Sequence, residues 1–186
     1  RTDKRNITFR ELLSHQSGLK SYIPYVDLAE PVWNGMPVFD SLPSAQYPVQ
    51  IADSLYLQAG YTAHIRELID KSPVNRRKPY VYSDLGFYYL NEALQVLADT
   101  SLDAYVEENF YRFLGLENIG FHPLERFEPA RIMPTENDTV LRHRQIRGFV
   151  HDPLIALTGG AGGSAGLFSN AHDVGVIAQM LLQGGE

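Results

Sequence analysis

Apolar residues recur at helical spacing in four stretches of this 186-residue chain, with long intervals between them. The strongest stretch starts at Asp84. From there to Ala98, Leu85, Tyr88, Tyr89, Leu90, Ala93, Leu94 and Leu97 make one broad apolar face, which predicts a core helix. The chain turns at Asp99-Thr100, and Thr100-Ser101-Leu102-Asp103 predicts the cap of another helix running to about Tyr111. Its stripe is Leu102, Tyr105, Val106 and Phe110, and Leu114-Gly115 closes it. So short a connection makes the two a helical hairpin. Tyr61 to Lys71 carries Ile65, Leu68 and Ile69 at spacings of three and four and stops at Ser72-Pro73. A helix from Ser169 or Asn170 is expected to turn Val174, Ile177, Ala178, Leu181 and Leu182 inward before Gly184-Gly185 ends it. Near the start, Thr8-Phe9-Arg10-Glu11 is a capping-box pattern opening a short helix through Leu12 and Leu13, with Gly18 as its left-handed stop.

Between these stretches the pattern disappears. Tyr22 to Gly60 is dense in proline, glycine and aromatics, and His122 to Gly166 holds Pro123, Pro129, Pro134 and Pro153 before a glycine run. Loops this long are functional or rest on a neighbouring module. There is no internal repeat and no strongly alternating series. The expected fold is therefore mainly α, a single helical domain over residues 1–186 with long irregular loops and few or no strands.

Composition narrows the function classes. With 44% hydrophobic and 20% charged residues the chain reads as globular, and it has no cysteine for disulfides or a thiolate nucleophile. A formal net charge of -6 gives nucleic-acid binding no electrostatic support. The basic clusters Arg76-Arg77-Lys78 and Arg142-His143-Arg144-Gln145-Ile146-Arg147 read as solvated loops. No apolar run approaches a membrane span, and no signal peptide is visible. The chain opens Arg1-Thr2-Asp3-Lys4-Arg5 without methionine, which suggests a piece cut from something longer.

The candidate chemistry centres on Tyr82-Ser83-Asp84 at the head of the strongest helix. Tyr82 carries an exchangeable proton and Asp84 can hold a cation. In extended backbone, residues i and i+2 face the same side, so both can serve one site. The plain alternative makes Ser83 or Asp84 an N-cap and Tyr82 a buried neighbour, and local pattern leaves the two readings level. Ser17-Gly18-Leu19-Lys20 matches S-x-x-K, but it sits at a helix exit, whereas that chemistry needs serine and lysine on one face of a helix start. Gly162-Gly163-Ser164-Ala165-Gly166 matches G-x-S-x-G, yet no βα series precedes it and only His172 and Asp173 follow as partners. Gly159 to Gly163 lacks the Lys-Ser/Thr ending of a phosphate loop. The six histidines show no zinc-protease spacing, so His151-Asp152 and His172-Asp173 read as caps or loop ties, and neither metal nor cofactor is expected.

Four segments together resemble the serine β-lactamase-related family, which includes class C β-lactamases, D-Ala-D-Ala carboxypeptidases and related esterases. Ile7-Thr8-Phe9-Arg10-Glu11-Leu12-Leu13-Ser14-His15-Gln16-Ser17-Gly18-Leu19 is similar to the stretch after that family's nucleophile helix. Tyr82-Ser83-Asp84 stands in the place of its Y-x-N element, with Asp84 for the usual asparagine. Phe113-Leu114-Gly115-Leu116 resembles its P-L-G-M turn, and Gly163-Ser164-Ala165-Gly166-Leu167-Phe168-Ser169 its G-x-A-G-L-x-S segment.

The resemblance implies the helical lobe of a β-lactamase/transpeptidase-like fold, with the S-x-x-K helix before Arg1 and a K-T-G or H-x-G strand after Glu186. Tyr82 would be the proton shuttle and Asp84 the group orienting the missing lysine, while Tyr22 and Ser83 would line the substrate cleft. The implied partners are the α/β lobe of the same protein and a small acyl substrate (ester, amide or D-amino-acid peptide). The implied setting is periplasmic or extracytoplasmic. The chain alone is expected to be inactive and to expose apolar surface that its partner lobe covers. The alternative is a non-catalytic binding or scaffolding module of a larger cell-envelope enzyme, one branch of the family being fused to glycoside hydrolases.

Overall fold

The first helix is built by its cap. In the computed structural model, which describes residues 3–24 and 29–185, helix α1 (Phe9–Leu13) opens with the full reciprocal box. Thr8 Oγ1 accepts from the Glu11 N–H at 3.3 Å and Glu11 Oε2 from the Thr8 N–H at 2.8 Å. Arg1, Thr2, Glu186 and residues 25–28 of the long loop after Tyr22 lie outside the described residues. The stop differs from expectation: Ser14 caps the helix and His15 takes the left-handed conformation at φ 55. Gly18, at φ 78, instead admits the chain at Asn75, whose N–H donates to the Gly18 carbonyl at 2.8 Å. A Cβ on Gly18 would stand 2.2 Å from the Asn75 oxygen.

The mainly-α expectation with few or no strands is overturned. Among the described residues seven short strands form three antiparallel sheets. Strands β1 (Val32–Trp33) and β2 (Met36–Pro37) form a hairpin through Asn34-Gly35, both at positive φ, as a type I′ turn requires. β3 (Phe39–Asp40), β4 (Val49–Ala52) and β5 (Leu55–Leu57) form a sheet in the order β3-β5-β4. β6 (Pro134–Asp138) pairs with β7 (Arg144–Arg147). Strands of two to five residues are too short for alternation to register, and bulges interrupt it between Gln50 and Ala52 and between Pro134 and Glu136.

Helices α2 (Tyr61–Lys71) and α3 (Asp84–Ala98) have the boundaries read from their periodicity. Leu57, Tyr61, Ile65, Ile69, Leu85 and Leu157 have no exposed surface and form the heart of the main core. After Asp99, left-handed at φ 52, come α4 (Leu102–Val106) and a π-helical turn over Glu107–Tyr111. The wider turn shifts the inward face by one residue, so Tyr111 is buried and Phe110, expected inside, is 41% exposed. Helix α5 (Pro153–Leu157) is short and almost wholly buried.

In helix α6 (Ala171–Leu182) the apolar stripe exists but is mostly uncovered. Val176 and Ile177 pack against the small core around Tyr111, while Val174, Leu181 and Leu182 are 53%, 67% and 83% exposed. Leu97, also expected inside, is 77% exposed. Periodicity identifies an apolar face but not whether a neighbour reaches it.

The basic cluster read as a solvated loop contains the most thoroughly buried cation among the described residues. Arg142, whose side chain has no exposed surface, bonds Asp138 Oδ2 through Nε at 2.7 Å. Its guanidinium also donates to the Val150 carbonyl at 2.6 Å and the His151 carbonyl at 2.5 Å. Burial alone would raise the Asp138 carboxyl, but Arg142 and the N–H groups of Leu141 and Val140 outweigh it and hold the carboxyl below its usual range. Asp138→Asn is expected to lower the unfolding free energy by about 3 kcal/mol at neutral pH, because it strands a buried guanidinium. The carboxylate contributes fully above its unfolded pKa and loses that contribution as pH falls below about 4. Urea melts at pH 7 and pH 3 should therefore show the gap between wild type and variant narrowing in acid.

Candidate functional site

The site forms where the segment after α1 lies alongside the segment that leads into α3. The Val81 N–H donates to the His15 carbonyl at 2.9 Å, and the Asp84 N–H to the Ser21 carbonyl at 3.1 Å. The Ser83 N–H donates to His15 Nδ1 at 3.2 Å and the Ser83 hydroxyl to the Lys20 carbonyl at 2.6 Å. These bonds hold Ser83 in extended backbone, φ −145 and ψ 118, at the N-cap of α3. Extended geometry sends alternate side chains to opposite sides. Ser83 accordingly turns inward and is 1% exposed, while Tyr82 is 59% exposed and Asp84 half-buried.

Tyr82 and Asp84 thus come together. Burial pushes the Asp84 carboxyl above its usual range and the nearby Asp152 charge pushes it further; a hydrogen bond from the Tyr82 phenol opposes both. The Tyr82 ring lies on the His15 ring with centroids 4.6 Å apart, and Phe87 and Tyr80 flank the same imidazole at 5.7 and 6.0 Å. Tyr22, one residue beyond the Ser21 carbonyl that holds Asp84, is 63% exposed. The site is an open face. The cavity of about 390 Å³ beside β4, His122 and Phe168 is lined by neither Tyr82 nor Asp84.

The other motif candidates have structural uses. Ser17 is 2% exposed in a non-helical segment, and its hydroxyl accepts from the Leu19 N–H at 3.4 Å, while Lys20 is exposed. Ser164 is exposed, and among the described residues no hydrogen bond joins it to an amine or imidazole. In the glycine run, Gly166 at φ 105 packs so closely that a Cβ would stand 2.2 Å from the Gly160 oxygen. Asn170 caps α6 by accepting from the Asp173 N–H at 2.8 Å, and the Asp173 carboxylate accepts from the Asn118 N–H at 2.7 Å. Asp152 caps α5 by accepting from the Ile155 N–H at 2.8 Å.

Two residues of the site escaped the sequence reading. Asp152 before Pro153 is legible as a helix cap, but its approach to Asp84 is a tertiary event. His15 lies in the Ile7–Leu19 segment similar to the family's stretch after the nucleophile helix, and nothing local marks its ring as the support of Tyr82.

The Beta-lactamase family model matches residues 1–186. The chain belongs to the β-lactamase family. Among curated relatives of this family member, a protein of Escherichia coli strain K12 is 37% identical over 156 residues, covering 75% of the chain and 35% of the relative. A protein of Salmonella gallinarum is 36% identical over 155 residues, with the same coverage. Both are provisionally named D-alanyl-D-alanine carboxypeptidase. The chain thus spans about a third of the length of the curated relatives it matches, 35% in each case.

Two solved structures share the fold. The octameric penicillin-binding protein homologue from Pyrococcus abyssi superposes at TM-score 0.56 and 16% identity, covering 97% of this chain and 35% of its own. Simvastatin synthase from Aspergillus terreus superposes at TM-score 0.50 and 19% identity, covering 95% and 38%. The family suggested by the four collinear segments is thus the family of the chain.

Because the Asp152 charge adds to burial in raising Asp84, Asp152→Asn, which retains a capping side chain, should bring the Asp84 pKa part of the way down toward the ordinary carboxylate range. A carboxyl-carbon NMR titration of Asp84 in wild type and variant checks this, and an unmoved midpoint contradicts it.

Proposed function

We propose that this β-lactamase family chain supplies one wall of the acylation cleft of a serine hydrolase. Tyr82 is its proton shuttle and Asp84 is the acceptor that orients an ammonium group. The supporting observation is the juxtaposition of the Tyr82 and Asp84 side chains at the exposed head of α3, with the residue between them buried and tied down. Tyr22 flanks the cleft as an exposed ring, while Ser83, expected to line it, is buried and secures the two segments instead.

In this reaction class a serine attacks an acyl carbonyl, giving an acyl-enzyme that water resolves. Tyr82 takes the hydroxyl proton and returns it to the leaving group. A phenol serves as a base near neutrality only beside cations, and among the described residues no ion pair brings a lysine or arginine to Tyr82. Nor is a serine matched with a lysine on one helix face among them. The attacking alcohol and its ammonium partner therefore belong to another part of the full-length protein, against which this single domain docks. The chain by itself is inactive.

An acyl substrate of the ester, amide or D-amino-acid peptide class and an extracytoplasmic setting go with this reading. Among the described residues no helix is long and apolar enough to cross a membrane.

The chain alone is expected to leave a chromogenic cephalosporin and p-nitrophenyl esters untouched. The full-length protein should turn over at least one acyl reporter, with Tyr82→Phe lowering kcat/KM by about 10²–10⁴-fold. Undiminished rates in that variant would remove the shuttle role. A full-length protein with no turnover would leave the binding or scaffolding module of a larger envelope enzyme as the function.

A further inference from the structure

We infer that His15 is the positioning residue for Tyr82, gripping the peptide on both sides of it and supporting its ring. The inference rests on the acylation reading for its catalytic value, but its geometry stands independently. One residue meets Tyr82 three times. The His15 carbonyl accepts the Val81 N–H at 2.9 Å, His15 Nδ1 accepts the Ser83 N–H at 3.2 Å, and the imidazole lies 4.6 Å from the Tyr82 ring. The amides held are those immediately before and after Tyr82, so the tyrosine backbone has little freedom left to swing.

Three features set this apart from a histidine that fills space. Nδ1 faces an N–H donor and must therefore be unprotonated, which fixes the tautomer with hydrogen on Nε2. Ser83 is 1% exposed, so its N–H has no solvent partner while the imidazole is in place. His15 holds this pose at φ 55, a conformation that side-chain-bearing residues rarely keep unless surrounding contacts demand it. The ring is also enclosed by Tyr80 and Phe87, which limit its rotation away from Ser83.

The test compares His15→Asn with His15→Gly in the full-length protein. Both residues accept a left-handed φ, so the comparison isolates the side-chain acceptor, which asparagine supplies at the δ position and glycine lacks. Amide hydrogen exchange is read at Val81 and Ser83, alongside kcat and KM. The Ser83 amide should exchange at least about tenfold faster in His15→Gly and within about threefold of wild type in His15→Asn. The Val81 amide, held by a backbone carbonyl, should stay protected in both. Turnover should follow the Ser83 amide, with kcat falling in His15→Gly, KM little changed and His15→Asn recovering most of the loss.

Wild-type protection of Ser83 in His15→Gly, or equal exchange in the two variants, overturns the assignment. Turnover that collapses in Tyr82→Phe but survives in His15→Gly sinks the positioning role alone. Turnover that survives in both sinks the acylation reading as well.

Discussion

Everything at the candidate site depends on the short backbone pairing between residues 15–21 and 81–84. Neither segment belongs to a sheet, and each would be an irregular loop alone. Carbonyls of His15, Lys20 and Ser21 accept from Val81, Ser83 and Asp84, and this holds Ser83 extended as α3 begins. Extended backbone at one residue separates the fates of three side chains. The middle one is buried, and its two neighbours are delivered to one face. Gly18 is part of the same arrangement, since only a residue without Cβ lets the chain at Asn75 approach the turn after α1.

A second, more distant framework sets the electrostatics. The buried Asp138–Arg142 pair closes the hairpin of β6 and β7, and the remaining guanidinium donors reach the carbonyls of Val150 and His151. The next residue is Asp152, the cap of α5 and the carboxylate whose charge raises Asp84. A guanidinium with five donors suits this place, because several fixed acceptors can be satisfied without water.

The uncovered side of the molecule is as informative as the site. Helix α6 carries the apolar stripe of a packed helix, yet Val174, Leu181 and Leu182 face outward. The candidate site is likewise a face rather than a cavity. The chain belongs to the β-lactamase family and spans 35% of the length of its curated relatives.

What the amino-acid sequence determined alone was local. The capping box of α1 and the bounds of α2 and α3 follow from spacings of three and four residues, where side chain and backbone meet without help from the rest of the chain. The Asn34-Gly35 hairpin and the short strands around it lie in the stretch read as irregular loop and came only with the structure. Tertiary structure decided the remainder. Strands of two to five residues exist only because another segment pairs with them. Whether Phe110 or Tyr111 turns inward depended on a π-turn, and whether Arg142 is solvated depended on carbonyls eight and nine residues away. His15 and Asp152 joined the site only when chain folding carried them across 67 and 68 residues to Tyr82 and Asp84. Periodicity reports which face of a segment is apolar; what that face meets is a property of the whole fold.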